Sequence, residues 1–171
     1  MNLTPYLKDI AIKLKDIGHI DNDPANKHFY LVSSTSNLKD IVENITILGG
    51  LNMVVEDNLE GRLRQNESSH MFDVPYCSFF LLKKAKILDM ESRSQVLTEL
   101  DAAITKILSK MRLDYYTDYE ETTNHGLRNI DWNSCSYFTF GPVLDGWFGL
   151  HFSFVLLHPV KFKYDADDWD H

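Results

Sequence analysis

The chain holds 171 residues, 44% of them hydrophobic and 25% charged, a length that buries roughly 70% of the unfolded surface without a metal or disulfide staple and a composition that excludes wholesale disorder. Seventeen basic residues against 25 acidic ones leave a formal charge of -8, which speaks against a general nucleic-acid binder, because such proteins neutralise phosphates with Lys and Arg. Two cysteines, Cys77 and Cys135, exclude a disulfide scaffold and a four-cysteine zinc site.

Thr4 and Pro5 open a helix expected over residues 4–17, with Thr as N-cap and Pro in the first turn. Leu7, Ile10, Leu14 and Ile17 recur at helical spacing, and Gly18 permits a left-handed stop. Residues 21–27 are polar, contain Pro24 and read as a loop. Residues 28–33 (HFYLVS) are strand formers. A cap-rich cluster, 34–37, then precedes Leu38, Ile41, Val42 and Ile45, which mark a short second helix. Gly49 and Gly50 break the chain before a strand at 51–55, and the polar stretch 57–69 reads as a strand arm or a loop.

Residues 71–84 form the first long strand, with Phe72, Val74, Tyr76, Phe80 and Leu82 on one face; Pro75 implies an edge or a bulge there. The third helix is capped by Asp89 or by Ser92 with Gln95. Its stripe is Val96, Leu97, Leu100, Ala103, Ile104, Ile107, Leu108 and Met111. Residues 114–124 are acidic and tyrosine-rich with no apolar period. Two strands follow: Ile130, Trp132, Phe138 and Phe140 share a face in one, and Phe148, Leu150, Phe152, Phe154 and Leu156 share a face in the other. Residues 141–146 have a hairpin composition, and Gly149 inside a strand pattern marks a bulge or a close backbone approach.

The order is therefore α–β–α–β–β–α–β–β, an α+β fold with a mostly antiparallel sheet and helices packed on one face. A single domain is expected over 1–163, with an acidic, frayed tail at 164–171. The runs at 79–82 (FFLL) and 154–157 (FVLL) are apolar on both alternating sets. Both faces of the sheet are therefore covered there, either by a third layer of the same chain or by a neighbouring subunit.

Linear motifs of chemistry are missing. Gly49-Gly50 and the pair Gly146 and Gly149 give neither a dinucleotide loop nor a P-loop. His151 and His158 fall on opposite faces of an unbroken strand, and the seven histidines include no HExxH. The cysteines sit among aromatics, where a thiol behaves as a small hydrophobe, and no GxSxG elbow occurs. No catalytic residue, metal or cofactor is expected. No apolar run approaches the ~18 residues that span a bilayer, and residues 1–15 are amphipathic and unlike a secretion signal. A reducing cytoplasm is the expected site of synthesis.

An N-terminal helix, a hairpin with a long second strand, a long helix and a closing hairpin resemble the tail-terminator and tail-completion proteins of tailed bacteriophages. The similarity runs from Leu51 to Lys163, and residues 145–159 (DGWFGLHFSFVLLHP) look like the final strand of that family. Residues 28–47 add a strand and a short helix to the pattern. The resemblance implies a non-enzymatic virion protein, a ring and commonly a hexamer, at the tail end or head–tail neck. It would contact itself and tail-tube or head-connector proteins, let DNA pass without specific binding, carry no cofactor and touch no membrane. It would be assembled in the host bacterium's cytoplasm.

Acidic groups repel phosphates, so Asp114, Asp118, Glu120 and Glu121 are candidates for the lumen, or form an ordinary solvated loop. Trp147, with Phe79, Leu81, Val155 and Leu157, is the candidate subunit interface, or ordinary core. Two alternatives stand beside the ring: a module that binds a small apolar ligand over its sheet, and an enzyme without a linear motif.

Overall fold

The computed structural model describes residues 3–33, 38–45, 49–56, 62–65, 70–117, 127–144 and 146–160. The first helix, α1 (Thr4–Lys13), is shorter than its apolar spacing suggests. Its N-cap is Leu3, with no side-chain hydrogen bond, so Thr4 lies inside the helix and Pro5 takes its place in the first turn. Leu14 leaves the helix in extended backbone, and the amides of Ile17 and Gly18 fold back onto its carbonyl (2.9 Å each). Gly18 stands at φ +64, the left-handed stop expected of a glycine there.

Strand β1 (Phe29–Val32), helix α2 (Leu38–Asn44) and strand β2 (Asn52–Glu56) come next. β1 and β2 are parallel. Parallel neighbours need a crossover connection, and α2 is that crossover.

The long strand expected over 71–84 breaks at Val74 and Pro75 into β4 (Met71–Asp73) and β5 (Tyr76–Lys84), as the missing proline donor requires. The Pro75 carbonyl is still used, accepting the Leu156 amide (3.0 Å). Part of the polar stretch 57–69 forms β3 (Leu63–Gln65), paired with β4. The rest of that stretch lies outside the described residues, apart from Arg62.

Helix α3 (Met90–Thr117) spans 28 residues. Asp89 caps it: Oδ1 accepts the amides of Glu91 (3.0 Å) and Ser92 (3.2 Å). Ser92 Oγ instead accepts the Lys86 amide. The helix runs on through Tyr115 and Tyr116 into the expected loop, because Tyr6, on α1, donates to Asp114 Oδ2 (2.8 Å), and Tyr115 packs edge-on against Trp132 at 5.9 Å.

The final hairpin is β6 (Ile130–Val143) and β7 (Trp147–Leu156), followed by β8 (His158–Val160). The main sheet has the order β1-β2-β5-β7-β6, antiparallel except for β1 and β2. The second sheet, β3-β4-β8, continues the β5/β7 pair beyond Pro75 as an arm.

One face of the main sheet meets α1 and α3. Phe79, Leu81, Leu150, Phe152 and Phe154 pack there against Leu7, Ile10, Leu100, Ile104 and Ile107. The two longer helices thus share a face, as expected. The short helix does not join them. Val42, in α2, and Ile45 just beyond it cluster with Tyr30, Val54, Leu82 and Trp147 on the opposite face. The doubly apolar strands are therefore covered, at those positions, by a third layer of the same chain.

The grouping of Ile130 and Trp132 with Phe138 and Phe140 is corrected. Ile130 and Trp132 pack with the α1/α3 core, whereas Phe140 packs with the α2 cluster. Five steps along β6, from Asp131 to Ser136, are matched by two along β7, from Val155 to Ser153. The odd excess of three reverses which face each later residue occupies.

Candidate interaction surfaces

The bulge in β6 decides what the outer half of that strand presents. Asp131 Oδ1 accepts the Asn133 amide (3.0 Å), and the Asp131 carbonyl accepts the Ser134 hydroxyl (2.6 Å). Ser134 Oγ in turn accepts the Val155 amide (2.9 Å), standing in for a lost ladder bond. Past the bulge, Ser136, Tyr137, Phe138 and Thr139 lie opposite Ser153, Phe152, His151 and Leu150. β6 is the last strand, so among the described residues no strand lies along its far side. Tyr137 and Phe138 are 54% and 57% exposed, and they point to opposite faces. From Trp132 to Leu144 the sequence holds no charged residue. Proteins ordinarily blunt such an edge with charges; here only the bulge and Pro142 bracket it.

Inward from β6 on the α2 face lie two rows. The first is polar: Ser78 Oγ donates to Glu56 Oε2, and Ser136 Oγ lies 3.0 Å from Ser153 Oγ. Burial raises the Glu56 carboxyl above its ordinary pKa. The second row is aromatic: the His151 ring packs between Phe80 (4.6 Å) and Phe138 (5.1 Å). Burial there lowers the imidazole pKa. His151 and Ser153 share a face, but the hydroxyl's partner is Ser136 and the imidazole's neighbours are rings. The rows do not form a nucleophile and base.

The other end of the sheet is β1. Phe29, Tyr30 and Leu31 form one wall of an open groove of about 850 Å³. The opposite wall contains His19, Ile20, Asp21 and Pro24. His19 is buried and satisfied on both nitrogens: Nδ1 accepts the His28 amide (3.2 Å), and Nε2 lies 3.1 Å from Asp21 Oδ1. Lys8 completes the chain with Asp21 (2.7 Å) and holds its carboxyl below the ordinary range. Leu31 and Ile20 are about half exposed in this groove.

The candidate lumen residues do not come together as a described set. Asp114 lies within α3, bonded to Tyr6 and Lys110. Asp118, Glu120 and Glu121 lie outside the described residues. Of the candidate interface residues, Trp147, Phe79 and Leu81 are 2%, 0% and 0% exposed. They are held by α2 on one face and by α1 and α3 on the other, so the folded chain leaves them no surface for a subunit. Val155 and Leu157 are half-buried. Sequence reasoning passed over Tyr137 and placed Phe138 on one face with Ile130 and Trp132. The signal for them was the uncharged run itself.

Burial pushes the Cys77 thiol up to about 11 and, with the Asp131 carboxylate nearby, raises Cys135 as well. Neither is poised as a thiolate. Among the described residues no three His, Cys, Asp or Glu side chains gather as a metal site, and no helix is long and apolar enough to cross a membrane. Neither the known family models nor the curated proteins give a match to this chain.

Proposed function

We propose that the chain is a non-enzymatic assembly protein that acts by contact, of the kind that forms a ring at the tail end or head–tail neck of a tailed phage and lets DNA through. The observation that carries this reading is the outer half of β6, uncharged, with no strand along its edge among the described residues, and exposed on both faces. A strand left in that state is a template for another chain. The formal charge of -8 fits a conduit that must not hold phosphates. The arm of β3, β4 and β8 is a second element able to reach a neighbour, a tail tube or a head connector. On this reading the protein resides in the virion after assembly in the host cytoplasm.

Light scattering of the purified protein across a concentration series tests the reading, with electron microscopy of the same sample. A discrete closed oligomer of about six subunits is the expected result. A chain that stays monomeric at every concentration would overturn it, and a small molecule carried through purification would point to the alternative. The groove beside β1 would then be the seat of that molecule, and the ligand-binding alternative would replace assembly.

A further inference from the structure

We infer that the β6 edge of one copy pairs with the β1 edge of the next, joining their five-stranded sheets into one. This deepens the assembly reading and rests on it. Both partners are present on every copy, at opposite ends of one sheet. β1 is parallel to β2, β2 is antiparallel to β5, and both β5 and β6 are antiparallel to β7. β1 and β6 therefore run in opposite directions. A neighbour added with its sheet in the same sense meets β6 as an antiparallel partner, the pairing with the straighter hydrogen bonds.

The side chains suit the joint. Leu31 lies in register with Val55, Phe79 and their neighbours on the α1/α3 face. Tyr137, opposite Phe152, lies on that same face. Keeping faces together across the new pair sets Leu31 beside Tyr137 or Thr139. On the other face Phe138 then meets Tyr30 in the first register or Val32 in the second. These are aromatic and branched pairs with no charge among them, in a chain whose charge otherwise opposes self-contact. The groove along β1 supplies space beside that edge. Because the two edges differ, the contact is head-to-tail. It closes into a ring when the rotation between copies permits.

The test uses the full chain and two edge variants, Tyr137→Glu and Leu31→Glu. Both positions are about half exposed, so the fold should survive, and an unchanged thermal midpoint would verify it. Each variant alone should associate about tenfold or more weakly than wild type, since a charge would be buried in the joint. Tyr137→Lys should act in the same direction as Tyr137→Glu. Mixed in equal amounts, the two Glu variants should form a two-chain complex and nothing larger, built from the intact β6 of one and the intact β1 of the other. If the β6 variants dissociate the oligomer while Leu31→Glu still dimerises, β6 pairs with itself about a two-fold axis and the inference is overturned. If the wild-type oligomer survives both substitutions, the edges are not the joint, and assembly stands without this pairing. A wild-type chain that is monomeric throughout removes the assembly reading as well.

Discussion

Tyr137 and Phe152 face each other on adjacent strands, on the same side of the same sheet. Phe152 is fully buried, and Tyr137 is 54% exposed. Nothing in the local alternation of β6 and β7 separates them. The helix footprint does. α3 lies against β5 and β7, and its stripe of Leu100, Ile104 and Ile107 packs in the same core as Phe152. Ile130 and Trp132, at the start of β6, still pack with that core, but the outer half of the strand extends beyond the cover. Apolar character in a strand therefore reports two things here, a core under α3 and a bare margin beyond it, and only the layer above distinguishes them.

The largest effect that would sharpen this contrast is Phe152→Ala. The ring packs against Phe79 (5.2 Å) and Phe154 (5.5 Å) beneath the helices, so little can move in to fill its place. A loss of about 3–5 kcal/mol is expected from denaturant unfolding. A loss below ~1 kcal/mol would mean that this face is not the close-packed core described.

The next effect sits on the seam between the two regions. A Cβ at Gly149 would lie 2.3 Å from the Phe140 ring and 2.7 Å from a Leu82 methyl. Phe140, on β6, thus covers the backbone of its β7 partner. Gly149 is approached closely, but by the side chains of Phe140 and Leu82 and not by the backbone that its position in a strand suggested. Gly149→Ala should cost about 1–3 kcal/mol through overpacking, measured as a fall in the urea midpoint. If Phe140 swings outward at no cost, the variant will match wild type and the seam is looser than its distances imply.

Smaller and of opposite sign are two pH effects on the α2 face. Burial lowers the pKa of His151, and also that of His158, from 6.5. As pH falls below 6.5 the unfolded chain takes up protons that the folded one resists. Stability should drop until the lowered native pKa is passed. His151→Gln should flatten that acid slope in part, because His158 still contributes. Glu56 behaves conversely: burial raises its pKa from 4.5, so stability should fall as pH rises from 4.5 through the raised native value. Glu56→Gln keeps an oxygen for the Ser78 hydroxyl and should remove that decline. Urea midpoints at several pH values would read both slopes, and slopes unchanged by either substitution would contradict the burial of these groups.

The sequence carried the elements better than the surfaces. The β7 alternation from Phe148 to Leu156 and the α3 stripe were legible because one covered face imposes one period, although Leu97, counted in that stripe, is exposed beside it. Coverage of both faces was legible at the FFLL run, where Phe80 and Leu82 meet the α2 cluster, but Val155 and Leu157 of the FVLL run lie outside that cluster and are only half-buried. The identity of the second cover was not legible. α2 is short, and only the parallel β1/β2 pairing explains why it crosses the opposite face. The face of Phe138 was misread because an odd excess in a bulge leaves no trace in hydrophobicity. Asp131, Asn133 and Ser134, whose side chains and backbone hold the bulge, look like ordinary polar residues. For Trp147 the choice between interface and core stayed open, because its burial depended on Val42 and Ile45, a hundred residues away in the chain. The exposed margin left a different kind of signal, an absence of charge from Trp132 to Leu144, and absence is harder to see than a motif.

The smallest expected effect is the most informative about that margin. Tyr137→Ala removes an aromatic ring from the same sheet face as Phe152, one strand away. Since the ring is half exposed in the folded chain, the isolated chain should lose no more than about 0.5 kcal/mol. Set beside the several kcal/mol expected at Phe152, that difference would separate cover from composition as the cause of stability. The same substitution should weaken association far more than folding, because the ring's only full burial would come from a neighbouring copy. A dilution series by light scattering, run on the chemically unfolded-and-refolded variant as well, keeps the two readouts apart. Should Tyr137→Ala unfold the monomer instead, β6 would belong to the core, and its exposed aromatics would be stabilising the fold and not waiting for a partner.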